Sequence, residues 1–235
     1  MRVARMFLCM AFALLLMGNT FKDRAWALME EGRIDEAFAV IEEGVASGDA
    51  ESLDYLGWFY DNGRAVPQDK TRAASLYRQA AILGVAHAQW RLGVMIDTGE
   101  ANGTLEEAVQ LFRQAAEQGF TNGFASLGVM QASGRGTALD YKAARASFEE
   151  AARRGNVHAF NEIGVMYMNG EGVDVDPQEG AAWIALAAAL GSTVAQDSLA
   201  TNFSDLDIDP DILERRMNEI AKEFDLGPEE PKDQV

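Results

Sequence analysis

An all-α solenoid of antiparallel helix pairs follows from three features of the sequence. Leu56-Gly57, Leu92-Gly93, Leu127-Gly128 and Ile163-Gly164 recur at steps of 36, 35 and 36 residues, a period typical of stacked helical units. Two more glycine sets keep steps of 35 or 36: Gly63, Gly99, Gly134 and Gly170, and Gly84, Gly119, Gly155 and Gly191. Between these marks, apolar and small residues return every three or four positions, the spacing of a helix with one buried face.

From the N-terminus, residues 1–20 read as a signal peptide. A basic start, Met1 to Arg5, leads into an apolar run from Met6 to Met17, shorter than the roughly 20 residues a spanning helix needs. Cleavage is expected after Gly18 or Ala27, which leaves no membrane insertion and places the chain in the periplasm or outside the cell. Residues 21–48 read as a capping helix pair about Gly32-Arg33, with Ile34, Phe38 and Ile41 facing the first full unit.

The repeats run 49–84, 85–119, 120–155 and 156–191. In each, the first helix (helix A) carries an inward stripe, Ala88, Leu92 and Ile96 in the second unit and Ala159, Ile163 and Tyr167 in the fourth. Helix B opens at the capping positions Asp69, Thr104, Asp140 and Asp176; Thr104 with Glu107 and Asp176 with Glu179 have capping-box spacing, and Pro177 sits where a missing N–H is harmless. The glycine inside helix A costs about 1 kcal/mol relative to alanine. Close approach of helix B is expected to offset that, with Ala80-Ala81, Ala115-Ala116, Ala151-Ala152 and Ala187-Ala188 as the facing surfaces.

Residues 192–226 read as C-terminal capping helices. The last opens at Asp209-Pro210 and carries the stripe Leu213, Met217, Ile220 and Phe224. Asp205, Asp207, Asp209 and Asp211 alternate but lack the glycine and closing glutamate of a calcium loop, so they read as solvated loop and cap. Residues 227–235 read as a polar tail, expected to be disordered.

These residues resemble Sel1-like repeats, a branch of the tetratricopeptide-like helical repeats. The first unit supplies Leu56-Gly57, Tyr60, Gly63, Val66, Ala73, Tyr77, Ala80, Ala81 and Gly84; the fourth keeps Gly170-Glu171-Gly172-Val173 intact. Ile96 and Gln131 stand where tyrosine is usual, and the second unit is one residue short between Gly99 and Ala108. The resemblance implies a right-handed α-α superhelix and a non-enzymatic adaptor that binds a partner protein on its concave helix-A face. Cysteine-rich members are associated with binding or hydrolysing β-lactams and cell-wall fragments, but through a framework of paired cysteines. Here Cys9 alone is present, inside the leader. Such a hydrolase, or a structural subunit of an envelope complex, stands as the alternative reading.

Charge and motifs bound the function further. With 20 basic and 37 acidic residues the net charge is −17, which repels phosphate backbones and makes a basic protein patch the better partner. No phosphate loop, zinc-protease motif or activated-serine motif occurs, so no catalytic residue, cofactor or metal is assigned. His87 and His158 share a repeat register but lie two units apart, about 16–20 Å at ordinary helix spacing, too far for one metal site.

On helix A, the positions three before and one after the glycine are expected to point out of the repeat: Asp54, Trp90, Ala125 and Asn161, and Trp58, Val94, Val129 and Val165. Phe59, Met95, Met130 and Met166 fall between units. Two tryptophans on an outward face suit partner anchoring, so Tyr55, Trp58, Trp90, Arg91 and Val94 are the candidate partner-binding residues.

Overall fold

The computed structural model describes residues 20–202 and 208–226. The leader, Asp205, Asp207 and the tail lie outside these. The described chain is all-helical, as expected: α1 (Phe21–Glu30), α2 (Ile34–Ala46), α3 (Ala50–Asn62), α4 (Lys70–Ile82), α5 (Ala86–Asp97), α6 (Leu105–Glu117), α7 (Thr121–Ser133), α8 (Tyr141–Arg153), α9 (Val157–Asn169), α10 (Pro177–Ala189), α11 (Thr193–Asn202) and α12 (Pro210–Glu223). Two compact units divide it, Met1–Thr104 and Leu105–Val235. No linker in the sequence marks this division; it falls in the loop where the second repeat is a residue short.

Within each unit, helices pack chiefly on their neighbours in sequence. The capping aspartates act as read: Asp69, Asp140 and Asp176 accept from the backbone N–H groups of Arg72, Ala143 and Glu179. The Glu179 carboxylate, however, turns away from the helix start and accepts from Trp183 Nε1 at 2.9 Å and from Arg216 of α12 at 2.7 and 2.8 Å.

Three of the helix-A glycines, Gly57, Gly128 and Gly164, owe their identity to close approach, but the alanine pairs are not what approaches. A Cβ on Gly57 would lie 2.9 Å from the Tyr77 ring, one on Gly128 2.7 Å from Phe148, and one on Gly164 2.6 Å from Ile184 and 2.8 Å from the Gly180 carbonyl. Each opposing side chain sits three residues before the alanine pair. In an antiparallel hairpin the middle of helix A faces the middle of helix B, so the pair near the end of helix B meets the start of the following helix A. Ala115 and Ala116 accordingly face Gly123, whose added Cβ would be 2.7 Å from the Ala116 nitrogen.

The first unit has a core of Ala25, Ala37, Ile41, Leu56, Phe59 and Leu76. The second is centred on Phe148, Ile163 and an aromatic triangle at its C-terminal end. There Phe160, Trp183 and Phe224 stand 5.3–5.9 Å apart, centroid to centroid, with Ile220 fully buried beside them.

Candidate interaction face

Helices α3 and α5 of the first unit carry all five expected partner-binding residues, each half-buried. They form two groups. Trp58 packs edge-on against Phe59 at 5.3 Å and leans on the N-terminal core. Tyr55 joins that core near Lys22 of α1; burial raises its phenol pKa and the Lys22 charge opposes the rise. Trp90, Arg91 and Val94 make the second group on α5, with the Arg91 guanidinium carbon 5.7 Å from the Trp90 ring centroid.

Arg91 is held from below by a residue that the apolar stripe conceals. Asp61, in the last turn of α3, is buried; it accepts from Lys70 Nζ at 2.6 Å, from the Tyr77 hydroxyl at 3.3 Å and from the Arg91 guanidinium. Burial works against ionisation of Asp61, but the hydrogen bonds from Lys70 and Arg91 outweigh it and hold the carboxyl below its usual range. Burial likewise opposes the charge on Arg91, and the bond to Asp61 more than restores it. Burial pushes the Tyr77 phenol far up, so its proton remains available to donate.

Asp54 is a correction. Expected to point outward, it is buried, and both its carboxylate oxygens lie 2.8 Å from Nδ1 of His87. A stacked helix has neighbours on both flanks, and α5 covers this position. His87 is thereby more than a polar residue at a helix start: its ring stands 5.7 Å from Trp90 and 6.3 Å from Tyr77. Asn161, in the same register, is also buried. Val129 is exposed as expected, while Trp90, Ala125, Trp58, Val94 and Val165 are half-buried.

Sequence reasoning passed over Asp61 and the Asp54–His87 pair, and took Tyr77 only as a repeat residue, although a signal existed. Asp61 is four residues after its helix-A glycine, and Arg91 two before the next one. In the second unit the same registers hold Ala132 and Glu162, while Tyr141 and Phe148 stand in those of Lys70 and Tyr77. Glu162 is half-buried. Burial pushes its carboxyl above the usual range, against a hydrogen bond from Asn161 Nδ2 at 3.4 Å and the nearby His158. Among the described residues, no cluster of three or more His, Cys, Asp or Glu is arranged to hold a metal ion, and no helix is long and apolar enough to cross a membrane.

Stacked antiparallel helix hairpins define an α-helical repeat protein. The Sel1 repeat pattern matches residues 50–85, 86–120, 125–156 and 159–192, more than half of the chain, and the chain belongs to the Sel1 repeat family. Sel1 repeat proteins generally mediate protein–protein interaction and are typically non-enzymatic scaffolds. A Sel1 repeat protein from Oxalobacter formigenes is similar at 28% identity and a TM-score of 0.70, over 85% of this chain and 81% of that one. A protective antigen of uropathogenic Escherichia coli with the same repeat fold is similar at 31% identity and a TM-score of 0.67, over 80% of this chain but 42% of that longer one. No curated protein matches the chain.

Proposed function

We propose that this chain is a non-enzymatic adaptor of the bacterial cell envelope, periplasmic or secreted, that captures a partner protein on the helix-A face. Tyr55, Trp58, Trp90, Arg91 and Val94 form its contact residues. The observation that carries the reading is the Trp90–Arg91 pair: a large half-exposed ring beside a cation that buried Asp61 fixes in place. Aromatic and arginine side chains dominate binding energy at interfaces, and prior immobilisation lowers the ordering cost of association. The leader-like N-terminus supports the location, and the strongly acidic composition supports a basic partner.

Co-purification from envelope extract tests this. The double variant Trp58→Ala, Trp90→Ala is expected to lose partner capture while keeping its helical signal and cooperative melting. Because Trp58 also touches the core, Trp90→Ala alone serves as the structural control and should weaken capture on its own. Normal capture by both variants contradicts the assignment of this face. Mass spectrometry of envelope-localised protein should show an N-terminus between about Gly18 and Leu28; intact Met1 in a soluble cytosolic fraction contradicts the location.

A further inference from the structure

An asparagine followed by glycine is a step at which a chain can attack itself. The glycine nitrogen reaches the side-chain carbonyl carbon by closing a five-membered ring, and no Cβ shields it. The sequence has four such steps, Asn62-Gly63, Asn102-Gly103, Asn122-Gly123 and Asn169-Gly170. Ring closure needs two groups free together: the asparagine amide, which turns toward the backbone, and the glycine nitrogen, which gives up its proton.

Three of the four steps are tied at both groups. Asn62 and Asn169 end α3 and α9, and the glycines after them donate to the carbonyls of Phe59 and Met166. Their Nδ2 atoms donate to the Trp58 carbonyl at 2.9 Å and to the Glu171 carboxylate at 3.2 Å. Asn122 lies in the first turn of α7, where its Oδ1 accepts from Asn156 at 3.2 Å and the Gly123 N–H donates to the Phe120 carbonyl at 2.9 Å. Asn102-Gly103 differs. It lies in the loop between α5 and α6, both residues are exposed, and among the described residues neither the Asn102 side-chain amide nor the Gly103 N–H has a hydrogen-bond partner. Exposure alone does not separate the steps, since Asn62 and Asn169 are exposed as well. The bond that Asn102 does make, from Arg78 to its backbone carbonyl at 2.7 Å, leaves both reacting groups alone.

We propose that Asn102 is a self-modification site that converts to aspartate and isoaspartate with water as co-reactant. The Gly103 nitrogen, its proton passed to solvent base, bonds to Asn102 Cγ; the Cγ–Nδ2 bond breaks, ammonia leaves with a returned proton, and a succinimide remains. Water then opens the ring. Addition at Cγ gives aspartate, and addition at the backbone carbonyl carbon gives isoaspartate, with the new carboxylate on the carbon whose oxygen Arg78 holds. Either product adds a negative charge to a loop that already carries Glu100. The inference is independent of the adaptor function.

Peptide mapping by mass spectrometry, on the purified full chain held folded in mildly alkaline buffer, tests it. Asn102 should gain the mass of amide-to-acid conversion about tenfold or more ahead of Asn62, Asn122 and Asn169, because those three react only after local opening of their helix ends. In urea the four rates should draw together. Gly103→Val, whose branched side chain crowds the nitrogen, should keep the helical signal and bring Asn102 down to the rate of the other three. If Asn102 converts no faster than the others in the folded chain, whether all react or none does, the assignment is overturned. A lead that persists undiminished in urea overturns it too, because the selectivity then belongs to local sequence and not to the fold.

Discussion

In the first unit Asp61 is buried under Lys70, Tyr77 and Arg91, and Asp54 is paired with His87; in the second, the same registers hold Ala132, Tyr141, Phe148, Glu162, Ala125 and His158. The backbone plan is shared, down to the ring of Tyr77 or Phe148 lying across a helix-A glycine. The chemistry laid on it differs. The first unit ties its helices together with an ion network, and the second relies more on apolar packing, with the Phe160–Trp183–Phe224 triangle at its C-terminal end beside the Glu179–Arg216 pair. Repeats of one sequence period can thus carry different side-chain networks on a shared backbone.

The largest effect should come from breaking the apolar end. Phe224→Ala removes one side of the aromatic triangle and is expected to cost about 3–4 kcal/mol, read as a lower urea midpoint with the helical signal lost cooperatively. Next, Asp61→Asn should cost about 2 kcal/mol, since it leaves Arg91 and Lys70 without their shared acceptor. Its effect has a pH signature. The folded Asp61 carboxyl lies below its usual value of 3.8, so its stabilisation is present above that value and is lost as pH falls through the folded pKa. The wild-type advantage over Asp61→Asn should therefore shrink in acid. A variant that stays equally destabilised as the pH falls through the folded Asp61 pKa would show that the network's charge contributes nothing.

The turn after helix A gives a subtler contrast. Ala65 has φ +57°, in the register where Gly136 and Gly172 have φ +65° and +73°. Gly136→Ala should cost about 2 kcal/mol, because a left-handed residue with a Cβ is strained by roughly 1–2 kcal/mol and that Cβ would lie 2.3 Å from the Leu105 carbonyl oxygen. Ala65→Gly should move the other way, by about 0.5–1 kcal/mol once the looser unfolded chain is counted. Thermal melts of the two variants should shift in opposite directions.

Much of this plan could be read from the residues. The glycine period placed the hairpins, and Asp69, Asp140 and Asp176 marked helix starts because few residues other than a short acceptor suit that position. The ion network was not legible, because its members lie on three different helices, Asp61 and Lys70 look like ordinary surface charges in their own segments, and Tyr77 reads as a packing residue of the repeat. Asp54 was assigned outward for a related reason: a single-helix wheel has no term for the flanking helix. The facing of the glycines was misjudged because small residues suggest contact with small residues, whereas the fold sets an aromatic ring or Ile184 against each of those three. The contrast between Glu162 and Arg91, in one register, appears only when one unit is laid on the other.

The central contrast reduces to two amide substitutions compared by urea unfolding at neutral pH. The folded Glu162 carboxyl is raised above its usual value of 4.5. Its stability contribution is therefore complete below that value and is lost as pH rises through the folded pKa, so at neutral pH the ionised group is a small liability. Glu162→Gln should leave the midpoint unchanged or raise it slightly, while Asp61→Asn lowers it. A loss of stability in Glu162→Gln as large as that in Asp61→Asn would contradict the account, because it would mean that the fold stabilises ionised Glu162 as it does Asp61.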